Sequence, residues 1–371
     1  MSDLASFVKE TYGHLHGIPE IALKEFKTSA YLAGQLESFG YAVEKNVGGT
    51  GVVGVLQGDA PGPVFALRAD MDALAHVVDG QEVLVHSCGH DAHSAIVLAV
   101  AKETARRGLK KGSLKILFQP AEETLAGALA MIEAGAIDDV DYLVGLHLRH
   151  IAEAKYKQAT PALYHGASTM LQATIEGLSA HGARPHLGVN AIDAACLAVQ
   201  TVNTIHLNPV IPATVKVTKI HGGGASINVI PDKAEIAFDL RCQENAGMEE
   251  LVKRVTLAIE SSAASIGAKA NVHSVKGVPA AEYHQELIDI AKEAITSVLG
   301  KEGLLEPTLT PGGEDFHFFV KHKPSLKTVI VGIGADLVPG LHHPQMSFNQ
   351  DALVDAVNIL LKMTDKLGEL K

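Results

Sequence analysis

Eight consecutive residues, His86-Ser87-Cys88-Gly89-His90-Asp91-Ala92-His93, bring three imidazoles, a thiol and a carboxylate into one short stretch. Thiolate and imidazole are the donors that borderline divalent cations prefer, and a Cys-Gly-His step at a turn lets two donors converge on one ion or on a pair. A second stretch, Gln119-Pro120-Ala121-Glu122-Glu123, follows the apolar run 114–118. Adjacent carboxylates at the end of a strand point to different places, so one can bind a cation while the other takes a proton from water. Alone, two such glutamates read more simply as an acidic helix start favoured by the helix dipole. Gly145-Leu146-His147 ends another apolar run, and Leu341-His342-His343-Pro344 follows a third after a Gly/Pro loop. Open α/β sheets place ligands at the carboxyl ends of their strands, and it is the repeated arrival of donor residues at such ends that points to one site.

The elements that must position these residues fall into two sets. Residues 2–15 and 28–39 carry helical patterns, with Gly40 as a C-cap signal. Segments 50–57, 63–69, 114–119 and 142–147 read as strands, and 94–107 and 125–134 as helices between them, which is the alternation of an α/β domain with a central sheet. After about residue 166 the pattern becomes strand 169–176, helix 190–205, strands 214–221 and 234–241, helix 248–265 and strand 271–276, the split βαβ order of a ferredoxin-like α+β module. Helix 287–299, strand 327–333 and helix 351–367 then return to the first set. The expected organisation is a first domain of 1–166 with 283–371 and an inserted domain of 167–282, and 371 residues suffice for two cores.

A formal net charge of −11 disfavours nucleic acid and anionic lipid as partners and leaves a small molecule as the natural ligand. An odd set of cysteines, Cys88, Cys196 and Cys242, is no disulfide framework and suits a reducing compartment. The first ten residues lack a basic segment followed by an apolar one, and no apolar run is long enough for a bilayer, so a cytoplasmic location without membrane attachment is expected.

The chain resembles the M20 family of metallopeptidases and aminoacylases, in particular its branch of N-acyl-amino-acid, hippurate and auxin-conjugate amidohydrolases. The resemblance is carried by Leu15-His16 with Pro19-Glu20, Leu67-Arg68-Ala69-Asp70-Met71-Asp72-Ala73-Leu74, the Cys88 to His93 turn, Pro120-Ala121-Glu122-Glu123, Gly145-Leu146-His147, Ala180-His181 with Pro185, Asn228-Val229-Ile230-Pro231-Asp232, Gly313-Glu314-Asp315-Phe316 and Leu341-His342. It implies an α/β, metal-dependent exopeptidase-like catalytic domain with a dimerisation-type lid inserted, and two divalent metal ions. Their ligands fall on Cys88, His90, Glu123, His147 and His342, with Cys88 between the ions. Zinc, manganese, cobalt and nickel all suit such donors.

By the same resemblance Glu122 is the general base, His181 on the lid stabilises the oxyanion, and Asn228 holds the substrate carboxylate or carbonyl. Asp91, His93 and Glu314, and with them Asp70 and Asp72, orient the ligands. The implied reaction cleaves the amide bond of an N-acyl amino acid or related small amide, with room for a homodimer through the lid. This chain departs from the family in having Ile18 where a second early histidine is common, and in a short, proline-free segment between Leu74 and His86, expected to be a loop that alters the pocket rim. Cys196 and Cys242 are expected to serve packing. The alternatives are a dipeptidase or aminopeptidase acting on a free amine, and a catalytically inactive metal-binding relative. Glu122 beside Glu123 speaks against the latter.

Overall fold

The strongest apolar runs of the chain become the middle of one sheet. In the computed structural model, which describes residues 2–370, the strands Ser113–Gln119, Val64–Asp70, Tyr142–His150 and Lys327–Leu337 lie side by side in that order and in parallel. Almost every residue in them is buried, as expected of parallel strands covered on both faces. Gly51–Gln57 and then Ala42–Val47 extend one side antiparallel, and Ala159–Thr160 closes the other, giving seven strands. Ala42–Val47 has no counterpart in the sequence reading. It is a largely exposed edge strand, and its Glu44-Lys45-Asn46 centre gives no apolar signal.

The helix His90–Arg107 is apolar on nearly all sides, with residues from Ile96 to Ala101 wholly buried, and it packs with Gln285–Leu299, Asp351–Leu367 and Ser2–His16 around the first core. It begins four residues before the expected position 94, because Gly89 at φ 89° turns the chain straight into the first helical turn. His90, Asp91 and His93 therefore stand on a rigid helix start. The helix expected at 125–134 is only Gly127–Glu133. Residues before it are spent in a turn with Ala121 and Leu125 both at positive φ, 54° and 58°. A Cβ at Gly127 would meet the Pro120 carbonyl oxygen at 1.5 Å, so glycine is required there.

Between Leu74 and His86 the expected loop is a β-hairpin, Leu74–Val78 with Gln81–Val85. Its two-residue turn, Asp79-Gly80 at φ 51° and 77°, has the type I′ geometry that matches strand twist.

The chain divides into two compact units, one taking the chain up to Tyr164, Glu282–Leu309 and everything from Glu314 on, the other His165–Ala281 with Thr310–Gly313. The second unit has a four-stranded antiparallel sheet in the order Ala213–Gly222, Lys233–Cys242, Ala167–Glu176, Lys269–Val278, the ferredoxin-like arrangement. Lys233–Cys242 alternates buried and less buried residues along its length, and the buried set packs against Ala191–Val202 and Asn245–Ser265. Among the described residues no helix is long and apolar enough to cross a membrane.

Candidate active site

Within the first unit the parallel strands deliver Cys88, His90, Glu122, Glu123, His147 and His342 to one place. Cys88 forms one group with His90 and His147 and another with Glu123 and His342, and within each group the possible donor atoms lie within 4.8 Å of one another. Cys88 is the member common to both. His147 projects from inside Tyr142–His150 rather than from its end. His342 sits at φ 63°, and its backbone N–H donates to the Ser87 carbonyl at 2.8 Å, which ties its loop to the Cys88 turn.

The hydrogen bonds leave a free lone pair on two of the ligand candidates, His90 and His147. His90 Nδ1 faces the Asp72 carbonyl at 3.0 Å and Asp72 Oδ1 at 3.1 Å, so that nitrogen carries the proton. Its Nε2 is buried without a hydrogen-bond partner, 3.7 Å from Asp70 Oδ2 and 3.9 Å from both Glu122 Oε2 and Glu123 Oε1. His147 Nδ1 donates to the Leu148 carbonyl at 2.7 Å and leaves Nε2 directed at Cys88 Sγ, 3.6 Å away. His93 differs. Its Nδ1 donates to Asp70 Oδ1 at 2.7 Å and its Nε2 accepts the Leu148 N–H at 3.0 Å, so neither ring nitrogen is left over. Asp91 bonds His16 Nδ1 at 2.7 Å and the Ala92 N–H at 2.8 Å.

Burial, reinforced by the charges of Glu123 and Glu122, pushes the Cys88 thiol well up despite His90. Burial, with His93 and Arg149 beside it, holds His147 well below the usual imidazole range. Burial and then Glu314 and Asp315 push Glu122 well up. His342 Nε2 lies 3.3 Å from Glu123 Oε1, a pairing that raises the histidine and, against burial, lowers the glutamate. Buried polar atoms without partners are costly, and here His90 Nε2 has none while Glu123 Oε1 has only the ion-pair contact to His342, both residues sharing a donor group with the Cys88 thiol. A divalent cation would satisfy both and take the thiol as thiolate, so the donor set fits a metal centre.

Beneath this centre lies Arg68, 1% exposed. It donates to Gln119 Oε1 at 2.8 Å, Asp70 Oδ2 at 2.7 Å, and Glu314 Oε1 and Asp315 Oδ1 at 3.0 Å each. Burial opposes its charge, but Glu314, Asp70 and Asp315 outweigh that and drive its pKa up. Glu314 thus meets Arg68, and Asp70 links Arg68 to His93. The parts played by Arg68, Gln119 and Asp315 were missed in sequence. The available signal was Arg68 and Asp70 on one face of an otherwise apolar central strand.

The second unit brings His181 and Asn228 together by itself. Ala180–His181 pairs with Val229–Ile230, and the Gly182 N–H donates to the Asn228 carbonyl at 2.7 Å. Both side chains are exposed, and His181 Nδ1 accepts the Ala183 N–H at 3.1 Å, capping its own turn. Cys242 is buried, but Cys196 is exposed on the outer side of Ala191–Val202, so packing is not its role.

Sheet, strand-end site and buried thiol–imidazole–carboxylate set define a metal-binding hydrolase. The model of peptidase family M20/M25/M40 matches residues 66–366, and the chain belongs to that family. It is 31% identical to the N-acetyl-L-cysteine deacetylase of Bacillus subtilis over 98% of this chain and 90% of that protein. It is also 31% identical to the hippurate hydrolase of Campylobacter jejuni, over 98% and 97%. A solved Bacillus subtilis structure, described as a dinuclear metal binding peptidase of family M20, superposes with a TM-score of 0.84 at 25% identity, covering 100% of both chains. The protein is accordingly a metal-binding amidohydrolase.

Proposed function

We propose that the protein hydrolyses the amide bond of small N-acyl amino acids, with two divalent cations held by Cys88, His90, Glu123, His147 and His342. The observation that carries this reading is the shared thiol: Cys88 belongs to both donor groups, so one thiolate can lie between His90 and His147 on one side and Glu123 and His342 on the other. Bound there, zinc, manganese, cobalt or nickel would polarise the amide carbonyl and acidify water. Glu122 is in neither Cys88 group and is left to act as the base. It takes the proton of the attacking water and, protonated by that step, returns it to the leaving nitrogen. Asp91, His93 and Glu314 orient their neighbours through His16, Asp70 and Arg68.

His181 donates to the oxyanion, and Asn228 holds the substrate carboxylate or carbonyl. Both residues are exposed, and among the described residues the His181 ring bonds only a turn N–H, which suits them to a ligand, in their own chain or across a homodimer formed by the second unit. A cytoplasmic site of action accords with three unpaired cysteines. The deacetylase and hippurate hydrolase among the relatives favour an acyl substrate over a free amine.

The test is a hydrolysis screen over acetyl, benzoyl and indole-acetyl amino acids with each metal, alongside Glu122→Gln. We expect metal-dependent turnover of an acyl amino acid, and a loss of about 10²- to 10⁴-fold in kcat in the variant with metal content and fold retained. Near-normal turnover in Glu122→Gln removes the base assignment. Cleavage of unblocked dipeptides alone moves the protein to the aminopeptidase reading.

A further inference from the structure

Glu25 is a wholly buried carboxylate outside the donor groups around Cys88. It lies immediately before the helix Phe26–Ser38 and turns inward. Its Oε2 accepts the Thr50 hydroxyl at 2.5 Å, and its Oε1 accepts the backbone N–H of Ala121 at 2.9 Å.

Ala121 is an unusual residue to hold. It is wholly buried and left-handed at φ 54°, a conformation that costs a residue with a Cβ about 1–2 kcal/mol. It directly precedes Glu122 and Glu123. Its carbonyl accepts the Thr124 hydroxyl and the N–H groups of Ala126 and Gly127, at 3.2, 3.3 and 3.2 Å. The N–H of Glu123 donates in turn to Asp72 Oδ2 at 3.0 Å. The two glutamates therefore hang between two fixed amides, one gripped by Glu25 and the other by Asp72. Strain of this kind survives only where the surroundings over-determine it, and among the described residues Glu25 is the side chain that accepts the Ala121 N–H.

We propose that Glu25 is a positioning residue for hydrolysis: by holding the Ala121 N–H it keeps that residue left-handed, which aims the Glu122 and Glu123 carboxylates to different sides of the centre. This rests on the reading of Glu122 as the base. The hydrogen-bond geometry, and not the charge of Glu25, carries it, because a glutamine can accept the Ala121 N–H with its oxygen and donate its amide to the Thr50 oxygen.

Glu25→Ala should lower kcat by roughly 10²-fold, the scale of a misplaced catalytic group, with a much smaller change in KM. Glu25→Gln should recover most of that loss. Hydrogen–deuterium exchange of residues 121–128, measured with and without metal well below the unfolding temperature, should be faster in Glu25→Ala and close to wild type in Glu25→Gln. Thr50→Val, which removes the donor that orients Glu25, should show the same two changes more weakly and serves if Glu25→Ala does not fold. In a Glu122→Gln background Glu25→Ala should cost clearly less turnover than it does in the wild type, because the part that acts through Glu122 is already lost and only the part that acts through Glu123 remains. Unchanged kcat or unchanged exchange in folded Glu25→Ala overturns the proposal, and so does a fully additive loss in the double variant. If Glu122→Gln alone keeps its turnover, the base assignment is what fails, and the exchange of 121–128 still reads whether Glu25 holds the turn.

Discussion

His90, His93 and His147 in the first unit and His181 in the second are the same residue type under opposite constraints. The first three are buried, and hydrogen bonds to Asp72, Asp70 and the Leu148 backbone set each tautomer before any ligand arrives. His181 is exposed, and among the described residues its ring bonds only the Ala183 N–H of its own turn. A prearranged imidazole costs desolvation and carries no rearrangement cost at the moment of binding, whereas an exposed one costs folding almost nothing and must be ordered by its ligand. For changes at these histidines, folding stability, metal affinity and turnover should therefore move together in the first region and come apart in the second.

The largest effect should come from breaking the first region at its foundation. Arg68→Met strands Asp70, Glu314 and Asp315 in the interior, and removing one partner of a buried ionic network costs on the order of 3–5 kcal/mol. Denaturant unfolding should show that loss. An unfolding midpoint close to wild type would mean that the cluster is not stabilised by this charge.

Next, His181→Ala should reduce kcat by about 10²- to 10³-fold, the scale for loss of one oxyanion donor, with stability within about 0.5 kcal/mol of wild type and metal content unchanged. A large drop in unfolding temperature would erase the contrast between the regions. Mixing this variant with Glu122→Gln chains sharpens it further: activity regained after confirmed subunit exchange means that the two residues act across a dimer, and none regained means that they act within one chain.

His93→Ala lies between the extremes. With the Asp70 contact gone, metal affinity should fall about 10- to 100-fold, as measured by chelator competition, because orienting groups typically contribute that much. Affinity equal to wild type would show that Asp70 and the helix start suffice.

The smallest effect belongs to an exposed network remote from both regions in function. Hydrogen bonds from Arg106 and Arg107, at 2.7 Å, hold Glu103 down to about 2 against partial burial. A carboxylate lowered in the folded state stabilises above its unfolded value, and that contribution is lost as pH falls toward the folded one. Glu103→Gln should thus cost a few tenths of a kcal/mol at pH 7, as helix-surface pairs do, and the gap from wild type should close progressively below about pH 4.5. A gap that stays constant from pH 7 to pH 3 would assign the effect to packing.

Much of this architecture was legible in the chain because it depends on local periodicity. Continuous apolar runs mark the four parallel strands, and segment 234–241 reads as the strand that the structure extends by one residue at each end to Lys233–Cys242. The edge strand Ala42–Val47 was not legible, since one-sided pairing asks little of side chains. The hairpin at Asp79-Gly80 was legible in principle from its turn dipeptide, but went unread because the flanking alternation is weak. Helix His90–Arg107 was placed four residues late because polar residues at its start look like a loop until Gly89 is known to be left-handed.

Residue type alone determined which chemistry was on offer, since a thiol, imidazoles and paired carboxylates near strand ends suit a divalent cation and a base whatever their exact placement. Tertiary structure decided how those groups divide the work. Which nitrogen of His90 and of His147 keeps its lone pair depends on Asp72 and on the Leu148 carbonyl, and that Cys88 belongs to two donor groups depends on a loop 254 residues further along the chain, from Cys88 to His342. Arg68 gathers Asp70 with Glu314 and Asp315 across 246 and 247 positions. Glu25 reaches Ala121 across 96. Hydrogen bonds act over about 3 Å and are blind to sequence separation, so no local pattern could have announced these partners.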